Sequence, residues 1–371
     1  MQHPTSGAPR SHKQCPFTVE DLLGRAPIAL DMSNVRQEIE GNKILITGAA
    51  GSIGSELVMQ LATFNPATLI LIDQAETALN DLDLQLRQEF SALNIHSYVA
   101  NITDSFRMES IFRRTRPNVV FHAAAYKHVP LMESHPYEAI KVNIFGVEIL
   151  AGLAMAYHVR KFIFISTDKA VNPASIMGAT KRVAEMYLQS LSQSKRTATQ
   201  WIITRFGNVL RSNGSFMLTF EKQIAAGGPV TVTHPEVSRY MMTASEACQL
   251  VLQASAMGQS GQILFVDMGK QILIADIAKR MIQFSGLKPG DDIQITYTGL
   301  RAGEKLQEEL FLSKEKALAS KNTLIRVIAA ENKDLCSKLM LDMLRNALQS
   351  GDDLIMIDAL KSAVPEFGES S

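Results

Sequence analysis

With 46% hydrophobic and 20% charged residues over 371 positions, the chain has the composition of an ordinary globular protein that can bury a large core. Lys+Arg and Asp+Glu balance at 37 each, so no overall field draws it to nucleic acid or to an anionic membrane. Cys15, Cys248 and Cys336 are far apart, with no paired spacing for zinc or redox work, so no metal site is expected and a reducing cytoplasm is the simplest setting.

Residues 1 to about 40 begin polar, with Pro4, Gly7, Pro9 and Pro16, and then carry Val19-Glu20-Asp21-Leu22-Leu23. A loose arm followed by a short docked segment is expected. No signal-peptide apolar segment opens the chain, and the most apolar helix-like run, Ile149 to Tyr157, is too short to span a bilayer. A soluble chain without a membrane span is therefore predicted.

The first strong pattern is Lys43-Ile44-Leu45-Ile46-Thr47 running into Gly48-Ala49-Ala50-Gly51-Ser52-Ile53-Gly54. It reads as a buried strand, a tight turn and a helix start. Gly48 makes the turn, Gly51 lets backbone N–H groups approach a pyrophosphate, and Gly54 lets the helix pack closely on the strand. Ser52 and Ile53 belong to the same dinucleotide-binding turn. A second strand over 68–72 ends at Asp73, about 20 residues past the last glycine, where a carboxylate receives the adenosine ribose hydroxyls. Such a carboxylate repels a 2′-phosphate, so NAD is preferred over NADP.

Further strands are predicted at 96–100, 118–122, 161–166, 200–205 and 262–266, separated by helical patterns. That alternation argues for an α/β fold with a doubly wound parallel sheet of Rossmann type. Asn101 and Ile102, ending the third strand, would border the adenine. The fourth ends in Phe121-His122-Ala123-Ala124-Ala125-Tyr126-Lys127-His128, where Ala123 and Ala124 suit a backbone lying close to a flat cofactor. His122 reads as a packed strand residue, whereas Lys127 and His128 are loop candidates for substrate contact. A buried helix over about 136 to 157 carries Asn143, placed to tie neighbouring loops together. The fifth strand gives Ser166-Thr167-Asp168-Lys169 at its carboxyl end, and Met177 and Lys181 follow one helical turn apart.

Taken together, TGAAGSIG at 47–54, HAAAYKHVPLME at 122–133, STDKAVNP at 166–173, MGATKR at 177–182, TRFGNVLRSNGS at 204–215 and GLRAGEKLQEEL at 299–310 carry a specific resemblance. The chain resembles the extended short-chain dehydrogenase/reductases, and among them the bacterial polysaccharide-biosynthesis UDP-N-acetylglucosamine 4,6-dehydratases. Family logic places a Tyr four residues before the active-site Lys, but that position here is Met177. A thioether has no proton to exchange, so Met177 cannot be the general base. The chain thus resembles the branch that carries Met there and moves acid/base work to other groups.

The resemblance implies an NAD-dependent dehydratase that oxidises sugar C4, eliminates water across C5 and C6, and returns the hydride to C6. By correspondence, Thr167 would hydrogen-bond O4, Asp168 would protonate the departing C6 hydroxyl, Lys169 once neutral would abstract the C5 proton, and Lys181 would bind the nicotinamide ribose. We add the expectation that Asp168 also receives the O4 proton. The resemblance further implies that Asn208, Arg301 and Glu304 contact a UDP-sugar, with Arg211 and Ser215 in a loop between them, and that the chain forms a homo-oligomer.

The organisation expected is an arm over 1–40, a Rossmann core over 41–205 to which 241–289 returns, and a smaller substrate lobe built from 206–240 and 290–371. Two other functions remain open from sequence: a nucleotide-sugar 4-epimerase, which eliminates no water, and a non-catalytic protein binding NAD or nucleotide sugar.

Overall fold

The computed structural model describes residues 19–25, 30–194, 198–313, 315–320, 322, 324–329 and 336–367. The expected loose arm, Cys15 and the last residues of the tail lie outside the described residues.

A nine-stranded sheet forms the centre. Its first six strands in chain order are β1 (Lys43–Thr47), β2 (Thr68–Asp73), β3 (Ile95–Val99), β4 (Val119–His122), β5 (Lys161–Thr167) and β6 (Gln200–Phe206). Across the sheet they stand in the order β6-β5-β4-β1-β2-β3, all parallel, with strand Ile263–Val266 parallel beyond β6. Runs such as Ile44-Leu45-Ile46 and Phe162-Ile163-Phe164 are fully buried. Such continuous apolar runs suit strands covered on both faces, because the crossover helices of a parallel sheet must pack there. The order reverses between β1 and β4, which opens a crevice at the strands' carboxyl ends.

Two further strands, Ala317–Ala319 and Ile325–Ile328, extend this sheet antiparallel beyond Ile263–Val266. Helices Lys338–Ser350 and Asp353–Ala363 form a hairpin whose Leu344, Met356 and Leu360 share a second core with Ile140, Ile144, Met177 and Val183. This differs from the expected allotment of 290–371 to the smaller lobe. Only Ile293 and Ile295 of that range pack in the third cluster. That cluster also takes helix Ile274–Phe284, from the stretch expected to return whole to the sheet, together with Leu22 and Leu23 of the docked segment. The cause is pattern: Ile274, Ile277, Ala278, Met281 and Ile282 form one apolar stripe at helical spacing, which must be buried against whatever apolar face lies beside it. Here that face is helix Phe216–Ala225 with the paired strands Val230–Val232 and Ile295–Tyr297.

Pro136 to Ala156 is one continuous helical stretch, as expected over about 136 to 157; it is longer than the apolar run Ile149 to Tyr157, and by length and composition alone it could cross a membrane. Of its most apolar window 61% is buried inside the protein, as a core helix is. Residues Lys141–Phe145 within it are π-helical. This irregular turn carries Asn143, whose amide accepts from the Tyr126 N–H at 2.9 Å and donates to the Tyr126 carbonyl and to Thr180 Oγ1, both at 3.1 Å. The tie between loops is thus made.

Under the end of β5 lies a buried ion network. Arg205 on β6 donates to both oxygens of Glu185 at 2.8 and 2.6 Å and to Glu315 at 2.8 and 3.1 Å, and Ser166 adds a hydrogen bond of 2.6 Å to Glu185. Burial by itself would raise the Glu185 pKa, but Arg205, Arg182 and Ser166 outweigh it and hold the carboxyl below its usual range. Removing Arg205 leaves the buried Glu185 carboxylate with Arg182 at 3.4 Å as its remaining cation. Arg205→Met is therefore expected to cost about 3–5 kcal/mol, read as a lower midpoint in urea unfolding at neutral pH.

Candidate active site

The glycine turn is shaped by how closely backbones meet. Gly48 has φ +66°, and a Cβ on it would lie 2.6 Å from the Ala124 nitrogen; a Cβ on Gly54 would lie 1.9 Å from the Gly48 carbonyl oxygen. Side chains are excluded at both positions. The helix Ser52–Ala62 can then start directly behind β1, with its first N–H groups facing the crevice. Asp73 secures this turn from β2: its Oδ2 accepts from the Ala50 N–H at 2.9 Å and its Oδ1 from the Ala75 N–H at 2.9 Å.

Two cavities adjoin over the turn. One, of about 310 Å³, brings together Gly48, Gly51, Asp73, Asn101, Ile102 and Ala124, residues assigned to the cofactor from sequence. Asn101 is engaged with Gln74 and Thr103, so it shapes the wall from a fixed rotamer. The other, of about 500 Å³, has Ser52, Ile53, Lys127, Thr167, Lys169 and Lys181 among its lining and extends over Ala123, Met177, Asn208 and Ser215. The two share Gly48, Gly51, Ala123, Ala125 and Tyr126, so an extended ligand can run from one to the other. The loop after β6 closes over the turn, with the Asn213 N–H donating to Ser52 Oγ at 2.9 Å and Gly214 seated against the ring of His128.

Lys181, on helix Ile176–Ser192, donates to the Ile165 carbonyl at 2.6 Å and holds its Nζ 3.9 Å above the centre of the Phe164 ring. Burial pulls it down to about 7, with Glu185 opposing. His122 is packed, as its strand position suggested: Nδ1 meets Thr47 Oγ1 at 2.6 Å, and burial, with Lys181 nearby, lowers its pKa to about 3. The ring is neutral at any working pH. Met177 is 4% exposed and belongs to the second core, touching the cavity with an inert side chain.

At the end of β5 the chemistry concentrates. Thr167 Oγ1 donates to Asp168 Oδ1 at 3.0 Å, and Lys169 Nζ donates to the same oxygen at 3.0 Å and to Asn208 Oδ1 at 3.1 Å. Asp168 is fully buried behind Thr167 and does not line the cavity. Burial raises its pKa, Lys169 counters this, and Glu308 adds to the rise; the net direction is up. Lys169 departs from expectation. Burial pulls it down, but Asp168 and Glu308 together outweigh that, so the resting side chain is an ammonium ion rather than the free amine expected of a base.

Glu308 lies 3.2 Å from Lys169 and Arg239 lies 3.7 Å from Glu308, a grouping that sequence reasoning did not make. Glu308 lies inside the motif 299–310 and Arg239 inside the segment 206–240, but charge pairing across such a distance in sequence leaves no local signal. Arg211 and Arg301 are not brought to the cavity. Arg211 is 3.6 Å from Glu221, and Arg301 is exposed, its backbone N–H donating to Glu304 at 3.2 Å. Glu304 itself accepts from Arg239 at 3.2 Å and from Thr233 at 2.9 Å. Among the described residues there is no cluster of His, Cys, Asp and Glu suited to a metal ion.

Comparison with known proteins fits this geometry. A family model described as polysaccharide biosynthesis protein matches residues 44–330. The capsular polysaccharide biosynthesis protein CapD of Staphylococcus aureus is 47% identical over 80% of this chain and 49% of its own length, so the chain spans about half of that relative. A UDP-glucose 4-epimerase of Rickettsia canadensis is 31% identical over 74% of this chain and 79% of that one. Among solved structures, Pen from Bacillus thuringiensis is similar with TM-score 0.72 and 30% identity, covering 81% of this chain and 90% of that one.

Gly54→Ala is expected to lower stability by roughly 1–3 kcal/mol and to weaken binding of an adenine dinucleotide, because its methyl group meets a carbonyl oxygen that cannot withdraw. Gly152→Ala, in an open helical position, is the control and should be neutral or stabilising by up to about 1 kcal/mol. Urea unfolding and calorimetric titration with NAD read both.

Proposed function

The chain belongs to the polysaccharide biosynthesis protein family, of the extended short-chain dehydrogenase/reductase type, and we propose that it is an NAD-dependent UDP-sugar 4,6-dehydratase acting on UDP-N-acetylglucosamine for surface-polysaccharide synthesis. One observation carries this reading: an Asp–Lys pair in 3.0 Å contact at the end of a central strand, beside a cavity where the usual tyrosine is replaced by buried Met177. An acid and a base side by side suit elimination of water, which needs one proton removed and one delivered.

The cofactor's fit is supported by the two adjoining cavities and by the Gly48 and Gly54 positions, where a Cβ has no room. NAD, when bound, supplies the site that takes the C4 hydride and gives it back at C6. Asp73 would hold the adenosine ribose, which argues for NAD over NADP, and Lys181 would hold the nicotinamide ribose.

Thr167 is the group through which protons reach Asp168. As O4 is oxidised, its proton passes to Thr167 Oγ1 while the hydroxyl proton crosses the 3.0 Å hydrogen bond to Asp168 Oδ1. Burial favours the neutral carboxyl so formed. Lys169, as the free amine, then takes the C5 proton; the C5–H electrons form the C5–C6 double bond, the C6–O6 bond breaks, and Asp168 returns its proton through Thr167 to O6 as water leaves. Lys169, whose N–H protons exchange with solvent, delivers a proton to C5 when hydride reaches C6, and so in heavy water a deuteron. Both residues end as they began. Asn208, Lys127, His128 and Ser215 would orient the sugar, and Arg301, Glu304 and Arg211 the nucleotide, with the two arginines moving towards the phosphates from their present positions.

Incubation with UDP-N-acetylglucosamine and catalytic NAD in heavy water, followed by mass spectrometry and proton NMR, tests the reading. The expected product has lost one water, carries deuterium at C5 and has a new C6 methyl group. A C4-epimeric product without water loss would instead make the chain an epimerase, as its kinship with a UDP-glucose 4-epimerase allows.

Asp168→Asn and Lys169→Met should each lower water elimination by about 10²–10⁴-fold, measured as kcat. Normal C4 oxidation in Asp168→Asn would remove Asp168 from the O4 step.

A further inference from the structure

Lys169 must lose a proton to act as a base, yet the fold surrounds it with groups that keep one there. The charged and polar groups that face its ammonium come from four places: Asp168 at 3.0 Å from the same strand end, Asn208 Oδ1 at 3.1 Å from the segment after β6, Glu308 at 3.2 Å from the segment after Ile295–Tyr297, and, behind Glu308, Arg239 from strand Ser238–Arg239. Lys305, near Glu308 in sequence, turns instead to the Val171 carbonyl at 2.9 Å. Glu308 is 3% exposed and its Oε2, like Asp168 Oδ2, is buried without a hydrogen-bond partner. A buried carboxylate with a spare oxygen is costly unless the cations beside it compensate, and its Oε1 lies near both Lys169 and Arg239.

Glu308 therefore divides its charge chiefly between Lys169 and Arg239, with a smaller contribution from Lys305. The more of it Arg239 takes, the less remains to hold the proton on Lys169. Arg239 is itself divided, because its other end reaches Glu304 at 3.2 Å. Building on the dehydratase reading, we propose that Glu308 is a positioning residue that sets the proton affinity of Lys169, and that Arg239 tunes it by competing for the same carboxylate. Neither residue needs to touch the sugar. When Lys169 releases its proton, an N–H bond breaks and the proton passes to water in the cavity, to which the side chain is 22% exposed.

The two residues push the amine in opposite directions, which separates this role from simple bracing. In the full chain loaded with its cofactor, the acid limb of the kcat–pH profile reports the fraction of Lys169 that is neutral. Glu308→Gln removes a carboxylate from the ammonium and should move that limb to lower pH by about one unit. Arg239→Gln leaves Glu308 wholly to Lys169 and should move the limb to higher pH by a similar amount. Loss of activity at every pH with the limb in place, in either variant, would overturn the proposal, and so would shifts in the same direction.

A second readout does not depend on turnover. The pH at half-modification of Lys169 by an amine-acylating reagent, followed by peptide mass spectrometry, should fall in Glu308→Gln and rise in Arg239→Gln. If no nucleotide sugar is converted but these midpoints move as stated, the dehydratase reading fails and the role of Glu308 in holding the proton stands. If sugar is converted and the midpoints coincide with wild type, that role is overturned alone.

Discussion

The closeness of two backbones governs this molecule. Gly48 sits against Ala123 and Ala124, and Gly54 against Gly48, at distances that admit no side chain. Because β1 and β4 are neighbours at the point where the strand order reverses, this contact fixes the width of the crevice in which any ligand must lie. Asp73 from β2 and Asn213 from the loop after β6 are hydrogen-bonded onto the same turn, so four separate parts of the chain take their positions from it.

Charge inside the protein is handled by pairing, and the pairs are ranked by purpose. Arg205 with Glu185 and Glu315 is saturated: both oxygens of each carboxylate accept from the guanidinium. Such a network keeps one arrangement and braces the end of β5 through Ser166. The group at Asp168, Lys169, Glu308 and Arg239 is different, since one oxygen of each carboxylate is buried without a partner. Incomplete satisfaction of buried carboxylates costs stability that the saturated network does not lose.

Met177 belongs to both worlds. Its side chain joins the core built with the C-terminal helical hairpin, and it also touches the large cavity. Replacing a tyrosine hydroxyl by a thioether there removes a proton carrier and leaves the shape of the wall to packing. On the proposed reading the acid/base work falls to residues at the end of β5, where Thr167 lines the cavity and Asp168 is buried beside it.

Much of this was legible in the residues themselves. Seven predicted strands, the glycine turn and the Asp73 position follow from apolar runs and from the few residue types that tolerate a close backbone approach, which are local properties. The sequence likewise placed Thr167, Asp168 and Lys169 at a strand end and identified Asn143 as a tie between loops. What it could not decide was which distant groups share a carboxylate. Asp168 and Glu308 together favour the protonated form of Lys169, and the segments 274–284, 317–319, 325–328 and 338–363 took other neighbours than expected. An apolar stripe specifies that it must be covered but not by what, and a charge specifies that it must be paired but not with whom. Those choices are made only when the whole chain has closed.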